Sequence, residues 1–382
     1  MHADFGAGMS MRTAFLIPNV ILANSFVGLL YQFYQRFFYR NSYLSVICIV
    51  FGVLSGGLGF VLWILSYGMN IRVNIDLDFL ERWRIDEQHS LPWNGIYGHL
   101  LMPQLDTIYA YPVVIAVWLL LYKALDRSVP IISSLWIMAT AGMITCLLAP
   151  YHAHSYCSIG FLSIALIFVF PKDTLDPVYQ IKWVAFGIPA VLGMPVYLYF
   201  FGQHILIGAS TFAFKSFWSN YSVCEYLFSR YPAILRPILF WLLTLGAFVP
   251  LALFGMRTLD RTQLRFVLAG WILFIIPNLT TMQAFQSQNL KMFAIWVFNA
   301  CPAVTMCIRH MWNKWTNEPF RILVVLLCVS LVLSGILALR RDVKQYAAVY
   351  TQEDADAGEW IQQNTPNDAV FLTSTSHVSV AY

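Results

Sequence analysis

Residues 321–339, RILVVLLCVSLVLSGILAL, decide the fold class of this chain. After Arg321 the stretch carries no charged residue. A helix rises about 1.5 Å per residue, so about 19 residues cover roughly 29 Å, close to the hydrocarbon thickness of a bilayer. The stretch is therefore expected to cross a membrane as a helix.

The rest of the chain has the same character. Its hydrophobic fraction is 59%, its charged fraction only 11%, and its mean hydropathy is +0.64, whereas soluble domains carry about 25% charged residues. The sequence predicts an all-α polytopic membrane protein with about ten transmembrane helices. The predicted spans are 13–33, 43–67, 107–124, 130–149, 157–171, 183–201, 236–255, 265–281, 291–308 and 321–339.

The connectors between these spans indicate an orientation. Every second connector is short and carries two or three lysines or arginines, and these connectors are 34–43, 122–130, 171–182, 255–265 and 309–321. Short basic loops usually face the cytoplasm. The remaining connectors, which are mostly longer, then fall on the opposite face. The basic residues form no patch and no nucleic-acid motif, so no nucleic-acid partner is expected.

Composition divides the chain into two parts. Residues 1–340 form the predicted multi-span membrane domain, and residues 341–382 read as the start of a lumenal or extracytoplasmic α/β segment. That segment has helical spacing near Trp360, then the turn NTPND and the strand-like AVFLT. Because one strand needs a partner for its backbone groups, the segment is expected to belong to an incomplete domain.

Polar residues collect on the face opposite the basic connectors. Seven of the eight histidines belong to it, and polar groups near membrane depth are costly enough to suggest function. A polar cavity opening to that side would gather such groups. The candidate site residues are His2, Asp4, His99, Gln104, Asp106, His152, His154, Gln288, Asn289, Lys291 and His377.

Each candidate also has a plain structural interpretation. His152 and His154 would point the same way on an extended loop and could hold a metal, or they could bond backbone or lipid head groups. Asp4 is either a general base or cation ligand, or an acid favoured by a helix dipole. Lys291 either contacts a phosphate or extends to the interface. Asp106 is expected to cap the span that follows it.

In order along the chain, five motifs resemble those of the GT-C superfamily of polytopic membrane glycosyltransferases, in a mannosyltransferase-like branch. The family's HADF, LLPQR, PLxHAHS and WEWDN motifs and its WIxxNTPxDAVFLT tail correspond here to HADFGAGM (2–9), HLLMPQLDTIYAYP (99–112), LLAPYHAHS (147–155), QAFQSQNLKMFAIW (283–296) and EWIQQNTPNDAVFLTSTSH (359–377).

The resemblance implies a polyprenyl- or dolichyl-phosphate sugar donor and a lumenal or periplasmic acceptor. It implies that Lys291 and Arg82 or Arg84 meet donor phosphate and that His99, His152 and His154 line a sugar pocket. It also implies that Asp4 orients an acceptor hydroxyl or a divalent cation. Three positions depart from the family pattern. Leu105 replaces an arginine, Gln288 replaces an acid and Leu290 replaces a threonine.

Family members have further spans and an acidic catalytic loop before HADF. The resemblance therefore implies an incomplete or inactive copy, truncated at both ends, in the endoplasmic reticulum membrane or a bacterial cytoplasmic membrane. Two other classes of protein stay open at this stage. A transporter or channel would need polar residues deep within its spans, and a non-catalytic scaffold would need no polar face.

Overall fold

A computed structural model describes residues 11–63, 105–169, 176–199, 213–220, 229–281, 289–344 and 352–366. Within these ranges nearly all regular structure is helical, and two strands, β1 (Ala213–Phe214) and β2 (Thr280–Thr281), form one antiparallel pair. The helices are α1 (Met11–Phe37), α2 (Ser42–Leu54), α3 (Gly59–Trp63), α4 (Leu105–Ala124), α5 (Ile131–Leu148), α6 (Ala153–Phe168), α7 (Pro177–Val191), α8 (Leu235–Leu245), α9 (Phe248–Gly255), α10 (Arg261–Gly270), α11 (Ile272–Leu279), α12 (Leu290–Lys314), α13 (Glu318–Lys344) and α14 (Gln352–Asn364).

Five helical segments among the described residues are long and apolar enough to cross a membrane, and the bent pair α8–α9 would make a sixth. The five are Thr107–Ala124, Ile131–Leu148, Arg261–Leu279, Leu290–Lys314 and Glu318–Arg340. The prediction of an all-helical membrane protein is therefore confirmed at this level. The count of ten spans stays a prediction.

Helix α12 lies at the centre of the bundle. Helices α2, α6, α9, α10, α11 and α13 all pack against it, which agrees with a helix that is apolar on every side. Its Trp296 side chain is fully buried, with ring centroids 4.5 Å from Phe274 and 5.2 Å from Trp271. Such aromatic pairs add about 0.5–1.5 kcal/mol each beyond the area they bury.

The predicted span 43–67 is not one continuous helix. Helix α2 ends at Leu54, and α3 begins only at Gly59. The hydroxyl of Ser334 on α13 donates to the Gly57 carbonyl at 2.7 Å and accepts from the Phe60 N–H at 3.1 Å. Irregular backbone survives at membrane depth only where other groups satisfy it, and here α13 does so.

A second break lies beside the first. Helices α8 and α9 meet at an angle of 97° around Gly246, whose φ of 60° is a left-handed conformation that glycine adopts without strain. The Leu58 N–H donates to the Leu243 carbonyl at 2.8 Å. A methyl group at Gly246 would lie 3.8 Å from the Gly57 Cα. The two breaks therefore meet in one place.

Gly52 and Gly56 have the GxxxG spacing that favours close approach of a neighbouring helix, and both lie close to a neighbour. A methyl group on Gly52 would lie 3.2 Å from Phe298 on α12, and one on Gly56 would lie 2.6 Å from Ser334. Gly56, however, lies in the break rather than on the helix. The two glycines therefore allow the close approach of two different helices, α12 at Gly52 and α13 at Gly56.

Toward the carboxyl end, α14 covers the predicted helical spacing near Trp360. The predicted strand at 369–373 lies outside the described residues, so the α/β character of this segment stays a prediction.

Candidate functional site

The described candidate residues share one end of the bundle, which we call the polar end. Helices α4, α6 and α12 begin there, and α5 and α11 end there. The rings of Tyr109 on α4 and Tyr151 before α6 lie 6.0 Å apart, and the Tyr111 hydroxyl donates to the Lys291 carbonyl at 3.0 Å. The candidates outside the described residues are His2, Asp4, His99, Gln104, Gln288 and His377.

His152 caps α6. Its Nδ1 accepts the Ser155 N–H at 3.1 Å and lies 2.8 Å from the Ser155 hydroxyl. This satisfies one of the four N–H groups that a helix start leaves without an intrahelical partner. The backbone-bonding interpretation of this histidine is therefore the one observed. Because Nδ1 accepts an N–H, the ring proton is assigned to Nε2.

His154 lies within the first turn of α6 rather than on an extended loop, so the geometry assumed for a metal-binding pair holds only for His152. Both imidazoles are buried, with ring centroids 5.9 Å apart. Among the described residues no group of three or more histidine, cysteine, aspartate or glutamate side chains could hold a metal. The possible divalent cation stays a prediction.

Asn289 connects the end of α11 to the start of α12. Its buried side-chain amide donates to the Thr280 carbonyl at 2.6 Å and to the Pro277 carbonyl at 3.0 Å. Carbonyls in the last turn of a helix have no intrahelical donor. The side-chain N–H groups of Asn289 therefore have a structural use at the end of α11.

Lys291 is buried in the first turn of α12, with 6% of its surface exposed. Because it is buried, Lys291 does not extend to the interface, which was one of its two predicted roles. Burial of an ammonium group is costly in a membrane, and the first turn of a helix repels a cation. Lys291, a cation buried at the start of the central helix, is the strongest functional candidate among the described residues.

Asp106 is the second residue of α4, so it lies inside the first turn rather than at the capping position. A carboxylate in the first turn is still favoured by the helix dipole. Its side chain lies outside the described part of the chain.

The β1–β2 pair closes one side of the polar end. Ala213 pairs with Thr281 and Phe214 with Thr280, and the Lys215 N–H donates to the Leu279 carbonyl at 3.1 Å. Next to this pair, Phe217 is fully buried against Phe293 of α12, with ring centroids 4.9 Å apart. The connector between α7 and α8 therefore contributes to the polar end, as its predicted position on that face requires.

Sequence reasoning missed a second feature at the opposite end, which we call the connector end. A cavity of about 830 Å³ opens there between α1, α4, α6 and α10. Four of the short basic connectors, or the helix ends next to them, contribute to its walls. The basic residues of these connectors are visible in the sequence, but there they indicate only the orientation of the spans and not a cavity.

No protein-family model matches this chain, and no curated protein matches it.

Proposed function

We propose that this chain is a membrane-embedded glycosyltransferase of the GT-C type that binds a polyprenyl-phosphate sugar at its polar end. The observation that carries the proposal is the buried Lys291 in the first turn of the central helix. The five ordered sequence motifs support it, because three of them contribute residues to this one end.

In the proposed reaction, the bond between the anomeric carbon and the phosphate oxygen of the donor breaks, and the acceptor oxygen bonds to that carbon. The polyprenyl phosphate leaves with the bonding electron pair, and the acceptor proton passes to a carboxylate. A buried ammonium stabilises the charge that develops on the leaving phosphate. In the family that the motifs resemble, an acidic loop before HADF holds the base, and the contact proposed for the described residues is the one with the leaving group.

A transporter is the second candidate, and one observation favours it. The breaks at Gly57 and Gly246 meet within the bundle, and discontinuous helices often form substrate sites in transporters. Protein groups satisfy the hydrogen bonds across these breaks, and among the described residues no charged side chain takes part in the bonds named above. The transferase proposal therefore has more chemical support.

The decisive experiment compares Lys291→Gln with Lys314→Gln. Lys314 is exposed in the last turn of the same helix, so it is a matched control for loss of one positive charge. Binding of undecaprenyl-phosphate and dolichyl-phosphate sugars is measured by native mass spectrometry of the purified protein. We expect Lys291→Gln to weaken binding about tenfold or more, because a charge-assisted hydrogen bond contributes about 1.5–3 kcal/mol.

Two controls keep this test interpretable. The first control is Lys291→Arg, which keeps the charge and should keep part of the binding. The second is a melting curve of each variant, because a variant that only fails to fold would lose its melting transition. Equal affinity for the donors in Lys291→Gln and the wild-type protein would refute the proposal. Flux of a solute across reconstituted vesicles, without consumption of lipid-linked sugar, would favour the transporter instead.

A further inference from the structure

The cavity at the connector end is built from side chains that lie far apart in the sequence, between Tyr31 and Phe266. Its walls come from the last turns of α1 and α4, the connectors that follow them, one residue of α6 and the first turns of α10. The cavity has an apolar surface and an aromatic surface with hydroxyl groups. The apolar surface comes from Leu119, Leu125, Leu166 and Phe266, and the aromatic one from Tyr31, Tyr39 and Tyr122. Its volume of about 830 Å³ falls within the roughly 300–1,000 Å³ typical of small-molecule sites.

Positive charge dominates this cavity. Six basic residues and one carboxylate, Asp126, line it. The basic residues are Arg36, Arg40, Lys123, Arg127, Arg261 and Arg265. Asp260 lies just beyond the lining, where it accepts the Tyr39 hydroxyl at 2.5 Å. With acids so outnumbered, the cavity favours an anionic occupant.

Several of these side chains are held in place by the fold. The Arg265 guanidinium lies 4.4 Å from the Tyr179 ring centroid and donates to the Tyr179 hydroxyl and, at 3.2 Å, to the Leu166 carbonyl. Arg36 pairs with Asp126 at 3.2 Å. Pre-positioned arginines lose less side-chain entropy when they bind a ligand.

The turn after α1 also contributes residues to this cavity. Tyr39 and Arg40 both adopt left-handed backbone conformations, with φ of 51° and 67°. Such conformations cost a non-glycine residue roughly 1–2 kcal/mol, and strain of this kind clusters at functional sites. Here it places two consecutive residues in the lining of the cavity.

We propose that the connector-end cavity binds a phosphate group, carried either by an anionic lipid head group or by a soluble phosphate compound. Planar guanidinium groups match the oxygens of phosphate in pairs, which favours phosphate over a simple halide or a neutral ligand. The cavity lies where the predicted spans meet the interface, so both sources reach it. This site is separate from the polar end and does not depend on the transferase proposal.

The test uses Arg40→Gln and Arg261→Gln, both at exposed positions where the change should leave the fold intact. Arg309→Gln is the matched control, because Arg309 is an exposed arginine on a predicted basic connector but not part of the cavity lining. Each protein is placed in phosphatidylcholine nanodiscs with or without phosphatidylglycerol, and retained lipid is counted by native mass spectrometry. In a second arm, pyrophosphate is titrated by calorimetry into protein in pure phosphatidylcholine nanodiscs.

We expect each cavity variant to weaken binding about tenfold in one of the two arms, the loss expected for one charge-assisted hydrogen bond. Added salt should weaken the wild-type interaction as well. Loss of phosphatidylglycerol alone identifies a lipid head-group site, and loss of pyrophosphate alone identifies a site for soluble phosphates. The proposal is overturned if Arg309→Gln weakens binding as much as the cavity variants do, or if the wild-type protein binds neither probe.

Discussion

Replacement of Gly57 by alanine tests whether the two helix breaks are packed as the structure shows. The added Cβ would lie 2.0 Å from the Leu243 carbonyl oxygen and 2.3 Å from the Thr244 carbonyl carbon, all of it backbone. A relaxed contact needs about 3.5 Å, so the end of α8 must retreat by more than 1 Å, roughly. That retreat would stretch the 2.8 Å bond between the Leu58 N–H and the Leu243 carbonyl beyond hydrogen-bonding range.

The cost can be worked out from these contacts. Overpacking costs about 1–3 kcal/mol, and loss of one hydrogen bond adds about 1 kcal/mol. We therefore expect Gly57→Ala to lower the free energy of unfolding by about 2–4 kcal/mol. In detergent the variant should melt several degrees below the wild-type protein, as followed by tryptophan fluorescence or by loss of the monodisperse chromatographic peak.

The control for this prediction is Gly28→Ala. A methyl group at Gly28 on α1 meets no atom within 4 Å, and alanine favours a helix by about 0.8–1.0 kcal/mol over glycine. Gly28→Ala should therefore melt at or above the wild-type temperature. If Gly57→Ala melts at the wild-type temperature, or if both variants lose equal stability, Gly57 does not pack against the end of α8 as the contacts above describe.

Two further predictions follow from single side chains. Ser334→Ala leaves the Phe60 N–H and the Gly57 carbonyl without this partner, so it should lower the free energy of unfolding by about 1–3 kcal/mol for each of the two groups, as measured by melting. The control is Ser330→Ala, because the Ser330 hydroxyl bonds to the Leu327 carbonyl of its own helix, and this variant should be nearly neutral. The hydrogen bond to Asp260 raises the pKa of Tyr39 to about 12, so this bond is complete below the ordinary tyrosine pKa near 10 and is lost as the pH rises through about 12. Tyrosinate absorbance, read as the difference between the wild-type protein and Tyr39→Phe, should titrate near that value. Asp260 also caps α10 by accepting the Thr262 and Gln263 N–H groups, and asparagine can still do so, so Asp260→Asn should bring the titration of Tyr39 down toward 10 while it keeps the cap. A transition near 10 in the wild-type protein would contradict the bond between Tyr39 and Asp260.

The fold class follows from the sequence because a bilayer imposes a simple requirement. Apolar stretches of span length, such as 321–339, must be helical, and α13 covers that stretch completely. The break after Leu54 could not be predicted in the same way. Ser55, Gly56 and Gly57 continue an apolar run. An unwound segment is stable there because Ser334, which is far away in sequence, bonds its backbone groups.

The candidate site shows the same division. Alternation of the basic connectors placed Asp106, His152, Asn289 and Lys291 on one face, and the structure brings all four to the polar end. The sequence did not reveal that His152 and Asn289 use their side chains on helix ends, because both roles depend on local backbone geometry. Nor did it reveal the cavity at the connector end, which exists only because α1, α4 and α10 pack together.

The two proposed sites lie close enough for a charge at one end to be felt weakly at the other. Along α4, Tyr111 at the polar end and Lys123 in the cavity are 12 residues apart in sequence, or about 18 Å of helix. Two unit charges at that distance interact by about 0.9 kcal/mol at an effective dielectric constant near 20, which corresponds to roughly fivefold in affinity. Water at either end reduces this figure further. Loss of a direct phosphate contact, at about tenfold or more, therefore exceeds the through-space effect. A variant at Lys291 or Arg261 should accordingly change binding mainly at its own end, and the ratio of its effects at the two ends identifies the end at which each phosphate binds.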